Sequence, residues 1–289
     1  MLLALPAAAP AQTPQPARNG GAAPSTVSAR PLNTIQTGFR HLYELRFEEA
    51  TADFQGWVKV HPYDPMGPTS EAAAYLFQEF YKQGVLSSEF FLDDDLLLGG
   101  IKGEPTPHLR QAFLSALDRG NKIVARRLKA NPQDSDALYA EAMLTGMLGN
   151  YRALIEKKHW EGVRLTEKAE GMAEKLLKLR PDALDAYLAI GASNYIVGCL
   201  PRTKRFFLWF GGVKGDKEVG LAQLKRAADG GDLLRPYAKI MLALAALREK
   251  DDVMARRLFT ELAAEFPRNP QFPQELALLK KEIPVLSRP

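Results

Sequence analysis

Residues 236–267 read PYAKIMLALAALREKDDVMARRLFTELAAEFP, and that stretch decides the fold. Pro236 suits the first turn of a helix, where its missing N–H would have had no partner. Tyr237, Ile240, Met241, Leu244 and Leu247 then recur at helical spacing. Asp251-Asp252 provide a turn and a new helix start, after which Ala255, Phe259, Leu262, Ala263 and Phe266 share one stripe until Pro267 stops the helix. Two helices joined by so short a turn bury their stripes against each other, which predicts an antiparallel pair.

The same phase recurs. A small residue, a hydrophobic one four later and a proline eight after that appear at Ala50/Phe54/Pro62, Gly120/Val124/Pro132, Ala169/Ala173/Pro181 and Ala255/Phe259/Pro267. The small residue lets two helices approach, the larger one fills the gap, and proline cannot continue the helix. This pattern resembles the second helix of a tetratricopeptide repeat (TPR), where A-x3-F precedes a helix-stopping proline, and residues 236–267 match a repeat of about 34 residues. The resemblance implies an all-α fold, an irregular TPR-like α-solenoid of antiparallel helix pairs over residues 31–289.

Elsewhere the helical pattern is nearly continuous from Pro31. Ile35, Phe39 and Leu42 form one stripe and Phe47, Ala50, Phe54 and Val58 the next, with Pro62 closing. Thr69 or Ser70 is expected to cap a helix carrying Ala73, Tyr75, Leu76, Phe77 and Phe80, which Gly84 can end in a left-handed conformation. A helix over residues 108–130 precedes Pro132, Asp134 and Asp136 open another, and residues 274–281 read as a terminal cap. The closing prolines at 62, 132, 181 and 267 are unevenly spaced. Insertions must therefore interrupt the pairs, at Leu86–Pro107, Tyr151–Gly162 and Leu200–Lys217. In repeat arrays such insertions map to one face, often the binding face.

Composition narrows the functional classes. The chain has 289 residues, 46% hydrophobic and 25% charged, with a formal net charge of +4. That charge is too small and too dispersed for a nucleic-acid binder. The single cysteine, Cys199, permits no intramolecular disulfide, and its apolar neighbours Ile196, Val197 and Leu200 make it a small hydrophobe. Residues 1–11 form a short apolar run ending in Ala9-Pro10-Ala11, an A-x-A-like cleavage site without a basic n-region, as in a truncated signal peptide. Export to a periplasmic compartment is the expectation, with a cytoplasmic protein bearing an Ala/Pro-rich tail as the alternative. Residues 12–30 then read as a flexible leader.

The most unusual local composition is Arg202-Thr203-Lys204-Arg205-Phe206-Phe207-Leu208-Trp209-Phe210-Gly211-Gly212. Two readings compete. Phe206, Phe207, Trp209 and Phe210 tuck inward as a plug of the solenoid groove, or they meet a membrane or partner while Arg202, Lys204 and Arg205 face anionic headgroups. Burial is the better reading, because so much exposed aromatic surface is costly in a soluble protein. The following Gly212–Leu221 stretch lacks G-x-x-x-x-G-K-[ST] and is no phosphate loop; Asp216 fits an N-cap and Gly220 a close-packing small residue. The order Gly191, Asn194-Tyr195, Leu200-Pro201, Arg205-Phe206, Gly215-Asp216-Lys217, Gly220-Leu221, Leu224 and Ala227 is similar to the divergent tetratricopeptide family that includes the inclusion-body clearance protein. This second resemblance covers residues 191–227 and bears on fold rather than role.

No catalytic pattern stands out. His41, His61, His108 and His159 have no zinc-site spacing, Asp93-Asp94-Asp95 lacks the alternation of a calcium loop, and no G-x-S-x-G elbow is present. The reading is a non-catalytic scaffold, without cofactor or metal, that holds a protein, peptide or envelope component in a concave groove. The alternative is a membrane-peripheral accessory or transport subunit that uses residues 202–212.

Overall fold

A computed structural model describes residues 33–199 and 215–281. Among the described residues there are thirteen α-helices and no strand. Helices α1 (Thr34–Tyr43) and α2 (Phe47–Val60) form the first pair. The second joins α3 (Met66–Lys82) to α6 (Pro107–Ala130), with the short α4 (Ser88–Leu92) and α5 (Asp94–Gly99) between them. Helix α7 (Ser135–Asn150) runs into a π-turn (Tyr151–Ile155) and packs on α8 (His159–Leu179). Then α9 (Ala186–Cys199) pairs with α10 (Lys217–Gly230) and α11 (Arg235–Arg248) with α12 (Asp252–Glu265), and α13 (Gln271–Lys281) packs on α12. Each pair packs on the next, as in a tetratricopeptide-like array.

Packing explains the recurring small residue. Ala50, Ala169, Ala173 and Ala255 are buried, as are Phe54, Val124 and Phe259. At Gly38 a Cβ would lie 2.3 Å from the Phe54 ring, so the ring occupies the space the glycine leaves, and it meets Phe39 edge-on at 5.4 Å. At Gly120 a Cβ would lie 2.9 Å from Leu144 of α7.

The prolines build the turns between pairs. The residue before each one, His61, Asn131, Arg180 and Phe266, has ψ between 65° and 101°, because proline disfavours helical geometry in its predecessor. Each turn closes with a backbone hydrogen bond: Asp64 N to His61 O, Asp134 N to Asn131 O, Ala183 N to Arg180 O and Asn269 N to Phe266 O. In three of them the side chain of the last residue then accepts from the start of the following helix, Asp64 from Met66 N, Asp134 as N-cap from Ala137 N, and Asn269 from Gln271 N. Helix α3 therefore starts at Met66, earlier than expected. Thr69 and Ser70 are not its cap: both are buried inside it, and the Thr69 hydroxyl donates back to Pro65 O at 2.7 Å.

The uneven proline spacing has a direct cause. The α9–α10 pair carries the phase as Gly220/Leu224, but Asp232 stands where the proline would be. That turn is held differently, by the Asp185 carboxylate, which accepts from Asp232 N at 2.8 Å and Leu233 N at 3.0 Å. All three insertions lie between the first and second helix of a pair, at residues 83–106, 151–158 and 200–216. The acidic stretch in the first is more ordered than a solvated turn: Asp93 caps α5 by accepting from Asp95 N and Leu96 N, and Asp94 pairs with Arg248.

Candidate functional site

The first helices of separate pairs bring a polar chain together at the centre of the array. Tyr139 of α7 donates its hydroxyl to the Asp185 carboxylate at 2.8 Å. Asp185, only 7% exposed, also holds the two N–H groups of the α10–α11 turn. The carbonyl of that turn, Leu233 O, accepts from the Tyr43 hydroxyl of α1 at 2.8 Å, and Tyr43 O accepts from Asn269 Nδ2, also at 2.8 Å. One continuous chain of hydrogen bonds thus links α7, the start of α9, the α10–α11 turn, α1 and the α12–α13 turn.

Aromatic rings fill the space beside it. Tyr43 meets Phe266 at 5.4 Å, and Phe77 of α3 meets Tyr237 of α11 edge-on at 5.3 Å. Tyr43 and Asn269 are buried, while Phe77, Tyr139 and Tyr237 are half-buried and keep some surface free. Burial pushes the Tyr43 and Tyr139 phenols well above their ordinary range, with the nearby Asp185 charge adding to both. Burial alone pushes Tyr237 up to about 12. Asp185 is itself raised by burial, against the lowering effect of the Tyr139 hydroxyl and the turn N–H groups. Three donors converge on its two oxygens, so it serves as the structural acceptor that holds α7 to the α10–α11 turn.

A second polar centre lies in the second insertion. Glu156, which follows the π-turn, is surrounded by Arg110 of α6 at 3.1 Å, Lys158 at 3.0 Å and Arg152. Burial alone would raise its carboxyl, but Lys158, Arg152 and Arg110 outweigh that and hold it below the usual carboxylate range. The first two insertions join here through Ile101 N donating to Leu154 O at 2.8 Å, and Gly100 needs its φ of 79° to pass so close to the Leu154 carbonyl. Arg248 of α11 reaches the first insertion at Phe91 O, and Lys217 pairs with Glu249 at 2.7 Å, so the ends of the three insertions lie along one edge.

The sequence-predicted residues divide into two groups. Ala50, Phe54, Ala169, Ala255 and Phe259 lie buried between helices, and Pro62, Pro132, Pro181 and Pro267 lie in the turns after α2, α6, α8 and α12. Gly191 and Gly220 meet across α9 and α10: a Cβ on Gly220 would lie 2.4 Å from Tyr195 N and 2.9 Å from Gly191 O. Asp216 caps α10 through Val219 N. Arg202, Lys204, Arg205, Phe206, Phe207, Trp209 and Phe210 fall outside the described residues, as do residues 1–30. Cys199 is half-buried, and burial raises its thiol, which leaves it a poor nucleophile.

Among the described residues no three His, Cys, Asp or Glu side chains gather in a metal-binding group, and no helix is long and apolar enough to cross a membrane. The central chain was not visible as a motif. Tyr43, Tyr139 and Tyr237 occupy ordinary positions on amphipathic helices, and Asp185 reads from sequence as a helix-start residue.

No protein-family model and no curated protein matches the chain. Among solved structures, a thermophilic TPR protein of Thermus thermophilus is similar over 86% of this chain and 98% of its own, at 16% identity and a TM-score of 0.45.

Proposed function

We propose that this chain is a non-catalytic scaffold that holds a peptide segment of a partner protein against the inner face of its helix pairs. The observation that carries the reading is the half-buried set Phe77, Tyr139 and Tyr237, contributed by three different pairs. Phe54, Phe113 and Phe259, which lie within one pair or between adjacent ones, are by contrast buried completely. Aromatic side chains with free surface and few rotatable bonds suit peptide recognition, since they supply area at low entropic cost. Ala9-Pro10-Ala11 supports an exported, periplasmic setting, in which the partner is an envelope or secreted protein.

A photo-crosslinking residue placed at Phe77 or Tyr237 in the native host tests the proposal. Covalent capture of one or a few defined polypeptides, lost when the label is moved to the exposed Val253 of α12, is the expected result. Capture of lipid, together with co-sedimentation on anionic vesicles, would overturn it in favour of a membrane-peripheral role for residues 202–212. N-terminal sequencing of the host protein should find a start near Gln12; full-length protein in the cytosol would refute export.

A further inference from the structure

Neighbouring helix pairs in this array are joined by helix-on-helix packing, whereas α1 meets the last pair in another way. Helix α1 packs along α2 and α3. It meets the last pair, far away in sequence, through side chains: Tyr43 Oη to Leu233 O, Asn269 Nδ2 to Tyr43 O, Gln36 Nε2 to Asp232 Oδ1 at 3.3 Å, Arg40 Nη2 to Glu265 O at 3.4 Å, and the Tyr43–Phe266 ring contact. A repeat array derives its stability from nearest-neighbour interfaces. A junction between its two ends is therefore additional to what the pairs need. Four hydrogen bonds and one ring contact, two of those hydrogen bonds at exposed positions, make a slighter junction than α1–α2, where the helices pack along each other and carry the Phe39–Phe54 contact.

From this contrast we infer that the α1 seam is a latch: it opens while every helix pair stays folded, and opening uncovers the inner face. The two sides of the seam define the movement. Helices α3 and α4 remain attached to α11 through the Phe77–Tyr237 contact, the packing of α4 on α11, and Arg248 donating to Phe91 O. The first pair therefore pivots at the turn between α2 and α3, residues 61–65. Withdrawing Tyr43 removes the buried ring that contacts Phe266 and the hydroxyl that donates to Leu233 O, and so uncovers the neighbouring Tyr139 and Tyr237. The latch itself follows from the contacts alone; only its role as the entrance for a partner rests on the reading of the inner face given above.

Hydroxyl-radical footprinting of the full chain, which needs no partner, tests the latch. Two variants are compared with the parent. Tyr43→Phe/Asn269→Ala removes the buried hydrogen bonds together with the Asn269–Gln271 contact at the start of α13, and Gln36→Ala/Arg40→Ala removes the exposed ones together with the Gln36 half of the α1 capping box and the Arg40–Glu44 pair, without touching the core. Each lost hydrogen bond should raise the opening equilibrium about fivefold. Oxidation of Tyr139, Tyr237 and Phe266 should increase together in both variants, more in the first. Phe54, Phe113 and Phe259, each inside a single pair or between adjacent ones, should oxidise at the parental rate. Parallel increases at Phe54 and Phe113 would mean general loosening and would overturn the latch; so would unchanged Tyr139 and Tyr237 in both variants.

Discussion

Replacing Gly220 by alanine separates two effects that usually act together. Alanine favours a helix interior over glycine by about 1 kcal/mol, so an exposed helical glycine should gain from the change. Gly171 of α8 is such a site, with open space where its Cβ would be. At Gly220 the new Cβ would lie 2.4 Å from Tyr195 N, 2.8 Å from Tyr195 Cα and 2.9 Å from Gly191 O. All three are backbone atoms, so no rotamer change relieves the clash. Helices α9 and α10 must separate by about 1 Å to restore van der Waals contact, and Tyr195, fully buried with its hydroxyl 3.4 Å from Ala245 O, moves with α9. Overpacking of this kind costs about 1–3 kcal/mol and more where backbone must shift. Set against the propensity gain, Gly220→Ala should lose about 2 kcal/mol, while Gly171→Ala gains about 0.5–1 kcal/mol. Urea denaturation followed by circular dichroism reads both, provided the slope stays constant so that the midpoint reports stability. A Gly220→Ala protein as stable as the parent would refute the close α9–α10 approach.

Further substitutions address the other turns and contacts. Ala255→Leu, at a fully buried position between α11 and α12, should cost about 1–3 kcal/mol by overpacking, and an unchanged denaturant midpoint would show that the helix phase was misassigned. Lys250 turns out of α11 at φ 61° in an exposed position, so Lys250→Gly should stabilise by up to about 1 kcal/mol in the same assay by removing left-handed strain. Glu156 has a carboxyl held below the usual range, so its contribution is present above the unfolded-state value and is lost as pH falls through the lower folded value. Glu156→Gln should lower stability at neutral pH and flatten the loss below about pH 4.5, measured as thermal midpoints from acid to neutral pH.

The parts of this fold legible in the sequence are those governed by local chemistry. The phase Ala255/Phe259/Pro267 encodes, within a dozen residues, a close approach, a filled gap and a stop, and each of those has its cause within or beside the helix that carries it. Gly84 and Asp216 were equally readable, because a left-handed helix end and an N-cap are local events. The start of α3 was misplaced because Thr69 and Ser70 have capping side chains, whereas the N-cap is Pro65, and the side chain that meets the first helical N–H belongs to Asp64 just before it. The fourth pair lacked its proline signal for a different reason. Its turn is fixed by Asp185, 47 residues before Asp232, and no periodicity reports a side chain reaching across a helix pair.

The central chain is illegible for the same reason, and that bears on how the array holds together. Tyr43, Tyr139 and Asp185 each look like routine helix or turn residues, and their roles arise only when α1, α7 and the α10–α11 turn meet. If such contacts were incidental, the buried carboxylate would be a liability, since burial disfavours its charge. Its three donors offset that cost, and one of them, the Asp232 N–H, is present only because the turn lacks a proline. The missing proline and the buried acid therefore have to be understood together. A proline at position 232 would remove one of the N–H groups that Asp185 accepts from, leaving a buried carboxylate short of a partner and loosening the turn on which Tyr43 rests. The irregularity of the repeat at this point is thus the condition for joining the first helix to the last pair.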